Sequence, residues 1–218
     1  MPDNETTRQP LPSLTGWVWG CVFLLLFLFA SCSENEEYDP YADWQARNTA
    51  WFKQVADTAR TAIAQAKATY GDNWEEHCDW RMYKSLQKSP TFQSGLLEDS
   101  ICVRIVKKGT GTYQPKVTDV VRVAYRGWLI PAKDESGNTF EKVFDQTFYG
   151  EFDERTAAYT ENTVSTFTEG FGTALQYMTE GAEWIVCIPY QQFYDEVEQG
   201  EVPAYSAARF RIIMMKVY

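Results

Sequence analysis

One histidine, His77, stands in the whole of this 218-residue chain. A zinc site would therefore have to be built from cysteines and carboxylates, and the spacing of Cys78, Cys102 and Cys187 matches no zinc motif. There is no G-x-S-x-G turn and no carboxylate pair at a plausible site, so a hydrolase reading has little to stand on. Basic side chains are also scarce: 20 Lys and Arg stand against 30 Asp and Glu, a formal net charge of −10. Without a basic stripe, nucleic acid is not an expected partner. Internal repeats and low-complexity tracts are missing. So is a long apolar run: the longest, Gly16 to Ala30, has fifteen residues, and a membrane-spanning helix needs about 20.

That short run ends in Phe29-Ala30-Ser31-Cys32, small residues directly before a cysteine. The arrangement resembles a bacterial lipobox. It implies that residues 1–31 are a lipoprotein signal peptide and that Cys32 becomes the lipidated first residue, a lipid anchor to the outer membrane of the cell envelope. A plain signal peptide or an uncleaved anchor is the alternative, and Arg8 is the only basic side chain ahead of the run. Residues 32–40 read as an acidic tether. Its Ser33-Glu34-Asn35-Glu36-Glu37 resembles the surface-export signal of Bacteroidetes lipoproteins, with a merely solvated tether as the other reading. Beyond Cys32 three cysteines remain, an odd number that cannot all pair within the chain. Cys102 and Cys187 fall in strand-like runs and are expected as buried thiols.

What is plentiful is apolar and aromatic surface, 44% and 16% of residues, enough for a core with aromatics left to line a site. Residues 41–90 read as a helical N-terminal segment. Trp44, Asn48, Trp51/Phe52, Val55, Ala59, Ile63 and Ala66 recur every three to four positions, and the alanine-rich filling favours helix. Gly71-Asp72-Asn73 ends that helix, and Trp74 to Gln87 reads as a second, shorter one. These aromatics either dock the segment onto the following domain or form a dimer seam. From Ser100 the pattern alternates with period two: ICVRIVKKG, DVVRVAYRGWLI, EKVFD, VSTF, GAEWIVCIP and ARFRIIMMKVY are strand-like. Residues 146–163 form a polar and aromatic insertion that covers or extends any groove nearby. Gly170 to Met178 is a short helix. One short helix among five to six antiparallel strands indicates an α+β class with the helix on one sheet face.

Scattered residues of this second half carry the functional signal. They are Tyr125-Arg126-Gly127, Phe144-Asp145, Phe167-Thr168, Phe171, Ile188-Pro189 to Tyr194, Val202-Pro203 and Phe210. Their order and spacing over residues 100–218 resemble the catalytic domain of FKBP-type peptidyl-prolyl cis-trans isomerases. The resemblance implies a curved antiparallel sheet of five to six strands around a short helix, with a substrate groove between them. It implies catalytic roles for Asp145, Tyr194 and Tyr125. Asp145 would orient Tyr125 or meet the twisted carbonyl, and the Tyr194 hydroxyl would bind a carbonyl beside the proline. Phe144, Phe167, Thr168, Phe171, Val202 and Phe210 would bind substrate, with the Thr168 N–H on a substrate carbonyl. Phe171 stands where the family usually has a tryptophan, Phe167-Thr168 where it has a Val/Ile-Ile pair, and Asp195 where it usually has glycine.

Those residue types suit bond rotation rather than bond cleavage. An X-Pro bond prefers trans by only about 0.5–1 kcal/mol, yet the barrier is about 18–20 kcal/mol. At the twisted midpoint the imide loses resonance and its carbonyl becomes ketone-like, a less polar state that a dry aromatic pocket favours. No cofactor, metal or nucleophile is required. The expected partners are proline-containing polypeptide clients, exported proteins above all. The competing reading is a catalytically weak FKBP-like chaperone or binding module.

Overall fold

A computed structural model describes residues 38–88 and 95–218. Cys32, the apolar run before it and the Ser33 to Glu37 run lie outside the described residues. Among the described residues no helix is long and apolar enough to cross a membrane, and Asp39–Tyr218 forms one compact unit.

The first element is α1 (Trp44–Tyr70), 27 residues long. Its buried positions, Trp44, Asn48, Phe52, Ala56, Ala59 and Ala66, lie along one stripe at the spacing a helix needs to present a single apolar face. Residues 74–87 depart from the helix expected there. A 3-10 turn over Gly71–Glu76 is followed by a strand, β1 (Trp80–Lys84). The physical reason is a period of two that aromatic richness masked. Trp80 and Met82 pack on the side of α1, whereas Tyr83 turns the other way and stacks on Tyr177 and Trp184, with ring centroids 4.0 and 5.9 Å away.

The remaining strands are β2 (Ser100–Lys107), β3 (Val120–Leu129), β4 (Ala132–Lys133), β5 (Thr139–Phe140), β6 (Val143–Gln146), β7 (Thr160–Thr163), β8 (Glu183–Ile188) and β9 (Ala208–Val217). The second helix is α2 (Glu169–Tyr177). The main sheet has seven strands in the order β1-β2-β8-β9-β3-β6, with β7 also on β3. Every pairing in it is antiparallel. The count exceeds the expected five to six because β1 joins the sheet. The strand expected at VSTF lies just before it, in β7, and Val164–Thr166 is a 3-10 turn.

Both faces of the sheet are covered. Ile101, Val103, Val123, Val186, Ile212 and Met214 point to the face carrying α2 and form the main core with Ala174, Leu175 and Met178. On the opposite face Cys102 and Cys187, directly paired across β2 and β8, pack under Phe52, Ala56 and Ala59 of α1. Both thiols are free and buried, and burial pushes each up to about 12. The start of α1 is anchored by buried polar contacts. Trp44 Nε1 donates to Ser206 Oγ at 2.8 Å, and Asn48 Oδ1 accepts the Ala207 N–H at 2.7 Å. Since Ala207 immediately precedes β9, α1 braces the strand that carries Phe210. Its buried stripe is spent on its own chain.

Candidate active site

The site begins with a glycine. Gly127 follows Tyr125 on the inner face of β3 and lies opposite Phe210 of β9 and Asp145 of β6. A Cβ at Gly127 would sit 2.6 Å from Phe210 Cε1 and 2.7 Å from Phe144 Cζ. Only a residue without a side chain lets both rings close over the strand. Gly170 plays the matching part in α2, where a Cβ would come within 2.3 Å of Ile188 Cγ2. The helix can therefore sit tight on β8 and press Phe171 against Phe210.

Phe210 is the hub that results. Four rings surround it edge-on: Phe171 at 5.0 Å, Phe144 at 5.4 Å, Phe193 at 5.8 Å and Tyr125 at 6.2 Å between centroids, with interplanar angles of 71–89°. T-shaped packing sets the positive edge of one ring on the negative face of the next. Tyr125 meets Phe171 in the same manner at 5.5 Å. Phe167 instead lies flat on Phe171, 4.8 Å away and 10° from parallel. The chain thus brings Tyr125, Phe144, Phe167, Phe171 and Phe210 into one continuous aromatic cluster. Val202 is buried in the same core, next to a short bridge between its own backbone and Gln199.

Phe193 was not among the residues expected from sequence. Its ring lies 5.4 Å from Phe144 and 4.1 Å from Tyr194, and it is buried. The signal available was its place directly before Tyr194 in a loop assigned to the site, but a lone phenylalanine there reads equally as core. The insertion, for its part, does not roof the cluster. Phe148 is buried against Ala124 and Ile213 with Phe152 beside it, on the other side of the sheet from Tyr125. A separate cleft of about 390 Å³ lies between α1 and Pro189–Gln191 and shares no residue with the aromatic cluster.

Polar groups sit at the rim. The Tyr125 hydroxyl donates to Asp145 Oδ2 at 2.7 Å, and the Tyr125 N–H is held by Thr147 Oγ1 at 2.9 Å. Burial first, and then that hydrogen bond to Asp145, raise the Tyr125 pKa above the usual phenol value. Burial and the nearby Asp145 charge raise that of Tyr194 as well. Both hydroxyls are therefore protonated donors at neutral pH. The Tyr194 hydroxyl has no hydrogen-bond partner among the described residues, while the Tyr194 backbone carbonyl accepts the Val197 N–H at 3.1 Å. Among the described residues Thr168, the N-cap of α2, has a buried Oγ1 with no partner, and no backbone acceptor takes its N–H. Asp195 adopts a left-handed φ of 54°, a conformation aspartate tolerates better than most residues. Its N–H bonds Tyr190 O and its C=O accepts from Tyr205 N, both at 2.8 Å. The left-handed turn is thus formed without a glycine.

Residues 111–215 match the family model of FKBP-type peptidyl-prolyl cis-trans isomerase. The matched segment is just under half of the chain. Among solved structures the chain is similar to a peptidyl-prolyl cis-trans isomerase from Pseudomonas syringae pv. tomato, at 22% identity and a TM-score of 0.42, over 76% of this chain and 94% of that one. It is also similar to the three FKBP domains of wheat FKBP73, at 20% identity and a TM-score of 0.41, over 54% and 44%. A third likeness is to FkpA from Escherichia coli, at 18% identity and a TM-score of 0.45, over 95% and 83%. No curated protein matches the chain. The TM-scores are all below 0.5, and what the site can do rests on its own geometry.

Proposed function

We propose that the chain is an active peptidyl-prolyl cis-trans isomerase that rotates X-Pro bonds at the aromatic cluster around Phe210. The observation that carries this reading is the pairing of an apolar ring cluster with unspent donors at its rim. Among the described residues Tyr194 Oη and the Thr168 N–H have no acceptor, and Tyr125 is held by Asp145. An isomerase needs little more. The rings favour the less polar twisted imide over the planar one, because a carbonyl that has lost amide resonance gives up less on leaving water. Thr168 N–H and Tyr194 Oη hold carbonyls on the prolyl side of the bond, so that this half of the peptide stays fixed while the other turns. The Asp145 carboxylate keeps the Tyr125 ring in one orientation and presents negative charge near the rotating carbonyl carbon.

The wider setting belongs to the same proposal. Cys32 as a lipid anchor would tether the domain to the envelope, where newly exported proteins fold with slow prolyl steps. It is supported by the Phe29-Ala30-Ser31-Cys32 sequence. The test of the core reading is exchange spectroscopy on a short X-Pro peptide with the full chain and its Tyr194→Phe variant. Catalysed exchange in the wild type, weakened in the variant, is the expected outcome. Binding of the peptide without any catalysed exchange would instead make the domain a proline-binding module.

A further inference from the structure

The apolar floor of this site is covered by the chain's own rings. Phe171 is 3% exposed and Phe210 4%. Phe210 is enclosed edge-on by Tyr125, Phe144, Phe171 and Phe193. The face of Phe171 is covered differently, by the parallel ring of Phe167 at 4.8 Å. Two rings at that separation leave no room between them, since it is already a van der Waals stack. An apolar ring arriving at Phe171 has to replace Phe167.

Phe167 is also the ring best placed to leave. It is only half-buried, whereas Phe193 is buried against three other rings. It sits in a single extended residue (φ −82°, ψ 161°) next to Thr168, between the 3-10 turn at Val164–Thr166 and α2. Among the described residues its one aromatic ring contact is with Phe171. Phe167 belongs to no strand, so displacing its ring does not require a strand to move.

We propose that Phe167 is a gate: its ring occupies the face of Phe171 that the prolyl ring takes, and a peptide binds by displacing it. The proposal rests on the isomerase reading of this site and adds to it a closed resting state. Apparent affinity is then reduced by the fraction of molecules with the gate open. A stacked aromatic pair shifts such an equilibrium by about two- to tenfold.

The test compares the full wild-type chain with Phe167→Val and Phe167→Leu, by NMR titration with a short X-Pro peptide and by exchange rates on the same peptide. A gate predicts that Phe167→Val lowers both Kd and KM about two- to tenfold while kcat changes less. Phe167→Leu, bulky but without a flat face, falls between. A wild type that isomerises, with a Phe167→Val that binds equally or more weakly, overturns the gate. Phe167 is then a fixed wall, and the isomerase reading stands. If wild type and variants are all folded by circular dichroism, yet none binds or isomerises the peptide, the isomerase reading fails and the gate fails with it.

Discussion

The Tyr125 hydroxyl and the Asp145 carboxylate share a 2.7 Å hydrogen bond across the β3–β6 pair, and they act as one unit. Tyr125→Phe and Asp145→Asn should each lower kcat/KM on an X-Pro peptide. The double variant should be little worse than the more damaging single change. A coupling energy of about 0.5–3 kcal/mol is the range for residues in one network. A four-way cycle of kcat/KM values measures it, and strictly additive losses would separate the two residues.

Gly127→Ala should damage both stability and the site. The new Cβ would press on Phe210 and Phe144 at under 3 Å, and overpacking of this kind costs about 1–3 kcal/mol. Urea denaturation should show a lower midpoint with an unchanged slope.

Asn48→Ala should loosen the brace between α1 and β9. It leaves the buried Ala207 N–H without its acceptor, at a cost of about 1–3 kcal/mol. The Ala207 amide should then lose hydrogen-exchange protection well before amides in the middle of β3. Equal loss across the sheet would mean that α1 is no separate brace.

The paired thiols give an alkaline signature. Cys102 and Cys187 are pushed by burial up to about 12, against about 8.5–9 in an unfolded chain. Below that unfolded value both states hold the proton and the contribution to stability is complete. As pH rises from about 9 towards 12 only the unfolded chain ionises, and the contribution is lost. The slope approaches about 1.4 kcal/mol per pH unit for each thiol. Unfolding free energies at pH 8, 9 and 10 should fall faster for the wild type than for Cys102→Ala/Cys187→Ala. Since the thiolate is the reactive form, a mild alkylating agent should also label half-buried Cys78 before either of them.

Much of this was legible in the sequence because its periods were unmixed. Positions 44 to 66 repeat every three to four residues, and α1 buries Trp44, Asn48, Phe52, Ala59 and Ala66 of them, with Ala56 in addition and Val55 and Ile63 only partly covered. In β3, Val121, Val123 and Tyr125 alternate with Arg122, Ala124 and Arg126, and the sheet separates the two sets. Trp74 to Gln87 misled because large aromatics fall on both faces of β1: Trp80 and Met82 meet α1 while Tyr83 meets α2. A strand buried on both sides shows no polar alternation to read. Among the site rings, Tyr125, Phe144, Phe171 and Phe210 come from well-spaced positions that the fold brings together. Phe193 escaped because its meaning depends on the course of the loop before Tyr194. The flat stack of Phe167 on Phe171 was equally out of reach, for ring orientation leaves no trace in spacing.

The most direct test of the account is the rate of cis-to-trans exchange of a short X-Pro peptide, followed by NMR with the full wild-type chain and Asp145→Ala. The account predicts clear acceleration by the wild type and a large loss in the variant. An uncatalysed rate with folded wild type, across several residues before proline, would contradict it.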